Sequence, residues 1–418
     1  MMHVLYLTTE LPFPPVSGGQ VRTAADLRLL QSLEEVRSID LVCVEEESSP
    51  RGEEGARAIA AELPKVTLHG PVFHPIHLKR FPHYFALVAA LEVVPGFPYL
   101  AGKWASPRVA AALVRAVRAR APDVVYVDHL GMMVYARFLA RLAPRARLVL
   151  GQHNVESDFF AQFAARKSGV VRLAAELETR RARRFERDAL RRADAVVAIS
   201  ASDAAEFRAL AGVSAHLVPQ VVTFERTAWS PRPAPRLVYV GNLSWHPNVA
   251  GLDWFTQEVW PALRAAVPDV TLDVVGSGLP RDPAGRELVP ERWRLPGVTV
   301  HGFAKELAPH YATASAFIAP ILGGSGVRIK LLEGFRAGLP LITTSAGALG
   351  LPLTSGRELL VADDPREYAA HVAEVLESPE LQARLREGAY DFLEREHGLA
   401  RAQAVMREVL GAPQRRDS

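Results

Sequence analysis

Gly323-Gly324-Ser325-Gly326-Val327-Arg328-Ile329-Lys330-Leu331-Leu332-Glu333 brings glycines, two cations and a carboxylate together in one run. Glycines let backbone N–H groups approach an anion closely, and the N-terminus of a following helix favours negative charge. Arg328 and Lys330 add positive side chains at that point, and Glu333, a turn further in, can accept two sugar hydroxyls. This set suits a nucleotide diphosphate, with Gly324, Ser325, Gly326 and Val327 around the phosphates. Breaking a bond to such a diphosphate builds negative charge on the leaving group. Preorganised donors aimed at developing charge contribute about 3–4 kcal/mol each, which makes Arg328 and Lys330 the catalytic candidates. The alternative is a plain βα turn with a solvated Arg/Lys pair.

These residues need a scaffold, and the surrounding pattern supplies one. Ala316 to Ile321 reads as a short buried strand; Ile329, Leu332, Phe335 and Arg336 fall at helical spacing; Gly338 with Pro340 marks a helix end; Leu341 to Thr344 begins another strand. The unit is strand, glycine loop, helix, strand. It recurs at the start of the chain. His3 to Thr8 reads as a strand, Gly18 and Gly19 sit in the loop after it, and Val21, Ala24, Leu27, Leu30 and Leu33 share a helical face. Asp123 to His129 reads as a strand ending in Asp128 and His129, and Arg147 to Asn154 ends in His153 and Asn154. Arg236 to Val240 runs into Gly241 and Asn242, Val270 to Val275 into Gly276-Ser277-Gly278, and Val298 to His301 into Gly302-Phe303. Ile39 to Val44, Val66 to His69, Ala193 to Ser200 and Val218 to Val222 add further strands. The expected class is α/β with doubly wound sheets. Open α/β sheets place their chemistry at the carboxyl ends of strands, so the polar pairs there are either ligand contacts or residues that satisfy loop backbone.

The run from Gly323 to Pro340 resembles the donor-binding motif of the family 4 retaining glycosyltransferases (glycosyl transferases group 1), and the resemblance extends over nearly the whole chain, most strongly in its C-terminal half. It implies the GT-B fold, two Rossmann-like doubly wound domains facing a central cleft. It implies a nucleotide-diphosphate sugar as donor, a glycan or lipid-linked acceptor, and no metal or other cofactor. The leaving phosphate itself takes the acceptor's proton in the resembled mechanism, so no general base is expected. Two glutamates flank seven residues in the family pattern. Glu333 matches the second, the one on the ribose; the first falls on Ser325, so that carboxylate is missing. The family also places an arginine and a lysine in the loop after the second domain's first strand. Gly241 to Asn248 has neither, and Arg328 with Lys330 is expected to carry that charge. A histidine at a strand end contacts the donor sugar in the family, which points to Asp128 or His129 on one strand and to His153 with Asn154 on the other. The Gly18-Gly19 loop corresponds to one near the donor phosphates and acceptor.

The expected division is residues 1–223 as the acceptor-side domain, joined by a helix over 399–412 packing back onto it, and 236–396 as the nucleotide-sugar domain. Pro-rich Thr223 to Pro235 reads as the linker. At 418 residues two domains are the natural size. Hydrophobic residues at 49% and charged ones at 23% suit a globular protein. Cys43 is the only cysteine, which excludes an intrachain disulfide and a cysteine metal cluster and suits a reducing cytoplasm. Met1 to Leu7 runs straight into a strand with no basic leader, and no apolar run reaches the roughly 18 residues of a spanning helix. Two basic stretches, His77 to Leu91 and Arg166 to Arg192, sit on a chain of net charge +3. Each is either a buried or salt-bridged helix face or a contact for an anionic inner-membrane surface. Sparse aromatics among the arginines argue against nucleic acid. Beside a transferase of cell-envelope or exopolysaccharide synthesis stand a nucleotide-sugar 2-epimerase of the same fold and a non-catalytic sugar-nucleotide binding module, the latter suggested by Ser325.

Overall fold

A computed structural model describes residues 1–15, 17–45, 52–74, 97–165, 167–227, 230, 234–282, 285–323 and 329–411. The chain divides into two compact units, Met1–Val221 with Leu399–Ser418, and Val222–Gly398. The basic stretch from His77 to Leu91 lies outside the described residues. Among those described, no helix is long and apolar enough to cross a membrane.

The first unit holds a parallel sheet of β1 (Met2–Thr8), β2 (Val36–Glu45), β3 (Val66–Leu68), β4 (Val72–Phe73), β5 (Val124–Asp128), β6 (Arg147–Gly151), β7 (Ala195–Ala198) and β8 (His216–Leu217). The spatial order is β3-β2-β1-β5-β6-β7-β8, with β4 beside β2. Strands of a sheet covered on both faces read as continuous apolar runs, and β5 is buried at every position. Core clusters fill both faces, one built on Leu5, Leu7, Val125 and Val127, the other on Val4, Tyr6, Val124 and Tyr126. The alternation within β1 and β5 follows from side chains pointing to opposite faces at successive positions. Where the sequence suggests a strand over Val218 to Val222, the strand is His216–Leu217. Pro219 has no N–H to give to a ladder, so pairing stops before it.

The helix Leu399–Leu410 belongs to this first unit and buries Ala402, Met406, Val409 and Leu410 in its core. Arg147 Nε donates to the Val409 carbonyl at 2.9 Å, and Gln403 Nε2 donates to Ser32 Oγ at 3.0 Å. The helix Gly18–Ser32 is therefore covered on more than its apolar face, and buries Arg22, Thr23 and Asp26 as well as Leu27 and Leu30.

The second unit holds β9 (Arg236–Val240), β10 (Thr271–Val275), β11 (Val298–Gly302), β12 (Ala316–Ala319), β13 (Leu341–Thr343) and β14 (Leu360–Val361), in the order β11-β10-β9-β12-β13-β14 and parallel throughout. β12 stops at Ala319 because Pro320 follows. Gly338 takes a left-handed φ of 65° just beyond the helix Ile329–Arg336, the conformation that closes a helix end most cheaply with glycine. No sequence expectation covers the helix Pro379–His397, which buries Leu385, Ala389, Phe392 and Leu393. Val222, read from sequence as a strand end, and Thr223 to Thr227, read as the start of the linker, are tied down on this unit. Val222 N–H donates to His397 O at 3.1 Å, Phe224 stacks on Tyr390 at 5.1 Å, and Arg226 reaches Glu387, Asp391 and Glu394.

Met406 is fully buried, and shortening such a side chain costs about 2–5 kcal/mol. Met406→Ala should therefore raise hydrogen exchange in β1, β6 and β7 while leaving β9 to β14 as protected as before. Equal loss of protection in both units would show that they unfold together.

Candidate functional site

Strand order reverses beside β1 in the first sheet, with β2 on one side and β5 on the other. Such a reversal parts the loops at the carboxyl edge and opens a crevice there. Thr8 ends β1 and Asp128 ends β5, with Gly151 of β6 opposite Asp128 in register. Asp128 is fully buried. Its Oδ2 accepts from Thr23 Oγ1 at 2.6 Å and Thr8 Oγ1 at 3.1 Å, and its Oδ1 lies 2.7 Å from His153 Nε2. The next residue, His129, has φ of 76°, in the left-handed region that few side chains enter. Its N–H donates to Gly151 O at 2.9 Å, and its ring lies on that of His153 with centroids 3.9 Å apart. Gly151 must lack a side chain: a Cβ there would stand 2.9 Å from the Tyr126 ring and 3.3 Å from Asp128 Oδ1. Gly19, in the first turn of Gly18–Ser32, is a near neighbour, since a Cβ on it would lie 3.9 Å from His129 Cε1, while Gly18 faces open space. The fold thus gathers Asp128, His129, His153 and Gly19. Asn154 is exposed and joins none of these bonds.

Charge in this cluster is set by competition. Burial alone would raise the Asp128 pKa, but His153, His129 and the donated hydrogen bonds outweigh it and hold the carboxyl well below its usual range. Burial alone would lower that of His153; Asp128 overcomes it and the imidazole is raised. His129 is pushed down to about 3 by burial and by the charge on His153. Asp128 therefore favours its carboxylate, His153 leans towards imidazolium and His129 stays a neutral imidazole. Thr8 and Thr23 escape the sequence reading, as do Arg22 and Asp26, a buried pair at 3.0 Å on the same helix. Their one sequence signal is an i,i+4 charge pair on a helix that carries little other charge.

The second sheet reverses beside β9. Gly241 follows β9, and Lys330 reaches it from the first turn of Ile329–Arg336. Lys330 Nζ donates to Tyr239 OH at 3.1 Å and Asn248 Oδ1 at 3.2 Å, and lies 4.2 Å from the Tyr239 ring centroid. A Cβ on Gly241 would stand 3.1 Å from that ammonium. Burial pushes the Lys330 pKa down to about 7. The loop from Gly241 to Asn248, without a cation in sequence, receives one from Lys330. Asn242 Oδ1 accepts from Ser244 N at 2.8 Å and Ser244 Oγ at 2.7 Å, an Asx turn that shapes the loop. Glu333 is held by the Arg336 fork at 2.6 and 3.1 Å and by Tyr311 OH at 3.2 Å. The sequence reading places Arg336 only on the helix, without this role, and does not reach Tyr311. A carboxylate has about four lone-pair sites, so Glu333 keeps acceptor capacity on its outer side. Gly324, Ser325, Gly326, Val327 and Arg328 lie outside the described residues.

Donor sets for a metal ion exist in each unit. Asp128, His129 and His153 bring one ligand atom each within 4.8 Å of one another, as do Asp273, His301 and His310. Asp128 is already committed to His153 and two hydroxyls, and Asp273 to His301 at 2.8 Å and Arg236 at 3.3 Å.

Residues 17–226 match the family model described as Glycosyltransferase Family 4, and residues 234–378 the one described as Glycosyl transferases group 1. An uncharacterised 44.6 kDa protein in the cps region of Klebsiella pneumoniae is 29% identical over 140 residues, 32% of this chain and 36% of that protein. A GDP-mannose-dependent alpha-(1-6)-phosphatidylinositol monomannoside mannosyltransferase of Mycolicibacterium smegmatis is 28% identical over 246 residues, 52% of this chain and 62% of that protein. The chain thus spans less than two thirds of the length of either relative. Among solved structures, sucrose-phosphate synthase of Thermosynechococcus elongatus superposes with a TM-score of 0.65 at 16% identity, over 97% of this chain and 98% of that one. Anabaena HepE in complex with UDP and glucose gives 0.63 at 14% identity, over 98% and 99%. At such identities the likeness concerns the fold, which is GT-B with two Rossmann-like domains.

The charge assignment in the first unit has a spectroscopic consequence. A raised His153 pKa stabilises the fold below the ordinary imidazole value and loses that effect as pH rises through the folded one. The lowered Asp128 pKa stabilises above the ordinary carboxyl value and loses its effect in acid. At pH 6, long-range proton–nitrogen correlation should show His153 doubly protonated and His129 neutral. Asp128→Asn should shift His153 towards the neutral form, because the main charge opposing burial is then gone. A His153 that is neutral in the unmodified protein at pH 6 would refute the assignment.

Proposed function

We propose that this chain, which belongs to the group 1, family 4 glycosyltransferases, is a retaining, metal-independent enzyme that moves a sugar from a nucleotide-diphosphate sugar to a glycan or lipid-linked acceptor. The observation that carries the reading is the Lys330 ammonium, brought into the Gly241–Asn248 loop at the second sheet's reversal and followed one turn later by Glu333. In this reading the bond from the anomeric carbon to the diphosphate oxygen breaks, and an acceptor oxygen bonds the same face of that carbon. The acceptor's proton passes to the departing phosphate. Lys330, Arg328 and the backbone N–H groups from Gly324 to Val327 meet the charge growing on that phosphate. Glu333 takes the ribose hydroxyls, steadied by Arg336 and Tyr311, while Gly241 and Asn242 line the phosphate side. Asp128, His129, His153 and Asn154, with Gly18 and Gly19, serve the transferred sugar or the acceptor.

A neutral His129 beside an imidazolium offers a ring nitrogen to a sugar hydroxyl without adding a second positive charge to the pocket. The mannosyltransferase relative, by its name, takes GDP-mannose and a phosphatidylinositol mannoside, and a HepE structure holds UDP and glucose; both support a nucleotide-diphosphate donor here. The lipid acceptor of the former and the cps-region origin of the other relative support a place in cell-envelope or exopolysaccharide synthesis, at the cytoplasmic face of the inner membrane.

Calorimetric binding against UDP-, GDP-, TDP- and ADP-sugars, followed by transfer assays, tests the reading directly. Lys330→Ala and Arg328→Ala should each cut turnover at least a hundredfold, and near-normal turnover in both would sink the phosphate clamp. Glu333→Gln should weaken nucleotide binding by replacing a charge-assisted bond with a neutral one.

The depressed Lys330 pKa adds a proton to the account. Without ligand the side chain loses charge above about pH 7, and a neighbouring diphosphate restores it. Binding a nucleoside diphosphate at pH 8 should therefore take up a proton, read from calorimetry in buffers of different ionisation enthalpy, and affinity should fall as pH rises. Lys330→Met should abolish the uptake. No uptake in the unmodified protein would place the ammonium away from the phosphates.

A further inference from the structure

The helix Gly169–Arg192 is bound to the first unit along one face, where Ala175, Ala182, Glu186, Ala189 and Leu190 are buried. At about 100° per residue, the opposite face carries Val170, Leu173, Ala174 and Leu177 in its first half, then Arg180, Arg181 and Arg184. Val170 is 81% exposed, Leu173 67% and Leu177 50%. Single exposed apolar residues are ordinary; a contiguous stripe of them marks a binding surface. The arginines that are paired point off this stripe, Arg172 to Glu176 at 2.7 Å and Arg183 to Asp158 at 3.7 Å. Among the described residues Arg180 and Arg184 have no ion-pair partner. Asp188, further along the same line, lies 3.8 Å from Arg187.

We infer that this stripe docks the protein on an anionic phospholipid surface. The apolar half sinks to the boundary between headgroups and acyl chains, as in interfacial helices. The guanidinium groups of the other half take lipid phosphates through paired N–H donors. Charge complementarity selects this occupant. A second copy of the stripe would bring arginines against arginines or against valines and leucines, with Asp188 the one acid on that line and already beside Arg187 at 3.8 Å. A nucleic acid strand would find no stacking platform, because the helix's single aromatic, Phe185, packs inward on Phe97 at 6.0 Å. The inference deepens the proposed reaction, since a lipid-linked acceptor would be met at this surface. It rests on that reading for its purpose alone, because vesicle binding is measured without sugar transfer and either can fail by itself.

Co-sedimentation of the full chain with phosphatidylcholine vesicles, with and without a third of phosphatidylglycerol, decides it. The protein should pellet with the acidic vesicles at low salt, should not pellet with neutral ones, and should release as salt rises. Each interfacial arginine contributes a factor of about five, so R180Q/R184Q should raise the lipid needed for half-binding about 25-fold. L173S/L177S should raise it at least tenfold. R141Q/R145Q, the same charge change at exposed positions off the helix, should have no effect. A second measurement does not depend on comparing variants. Cys43 is buried, so a bimane label on Leu173→Cys reports from this stripe alone and should shift to the blue only with acidic vesicles. The inference is overturned if L173S/L177S binds like the unmodified protein, or if the label does not shift. It is equally overturned if light scattering shows that the variants dissolve a dimer while vesicle binding persists.

Discussion

An open parallel sheet with helices on both faces changes winding direction somewhere, and in each unit it does so beside the first strand of that unit. To the left and right of β1, and again of β9, successive connections leave in opposite directions. Loops at the carboxyl edge then diverge, and the gap between them is where polar side chains can stand without a strand or helix covering them. Most of the candidate site residues that the structure describes lie at one of these two reversals. Thr8, Asp128 and the histidines stand at the first; Gly241, Asn242 and Lys330 at the second. The rest of each unit, including the helix Leu399–Leu410 brought back onto the first, completes the layers that keep those edges in place.

The two crevices bury charge in different ways. In the first, a carboxylate and an imidazolium satisfy each other at 2.7 Å, with two threonine hydroxyls on the carboxylate's other oxygen. A buried pair is tolerable only when its remaining lone pairs are met, and here they are. The second crevice holds a lysine whose partners, a phenol and an amide, carry no charge. Desolvation is not answered, so the ammonium gives up protons near neutrality. That is an unstable arrangement for a structural residue and a suitable one for a group waiting for an anion. The neutral His129, pressed against the His153 imidazolium, has similar character: its ring nitrogen is buried without a hydrogen-bond partner.

Away from the crevices, the helix Gly169–Arg192 shows how one periodicity can serve two environments. Small residues at Ala175, Ala182 and Ala189 let it lie close against the unit, and buried Glu186 accepts from the N–H groups of Glu156 and Ser157 at 2.9 and 3.1 Å, capping the start of the preceding helix. The face turned outward is free of these demands, and its apolar and basic halves answer to something other than the fold.

Much of the architecture was legible in the residue pattern because it is local. Apolar runs that stop at glycine or at a polar pair mark the strands and their carboxyl ends, and Gly323 to Pro340 holds loop, helix and helix end in one stretch. The same locality explains the strand expected at Val218, where Pro219 is the decisive residue, and the segment from Thr223, where polar residues followed by Pro231, Pro233 and Pro235 read as linker while Phe224 and Arg226 find partners on a helix far along the chain. Sequence alone left Asp128 and His129 as alternatives. Tertiary structure gave them different parts, because only packing decides that Asp128 is enclosed by Thr8 and Thr23, 120 and 105 positions away, and that His129 turns onto His153. Likewise the spacing of Lys330 and Glu333 was written in one helix, but the lysine's seat beside Gly241 and Asn248, 82 positions from the latter, was not. Spacing along a chain records what one element presents. It carries no trace of which distant element will stand opposite, and that is settled when the sheet orders its strands.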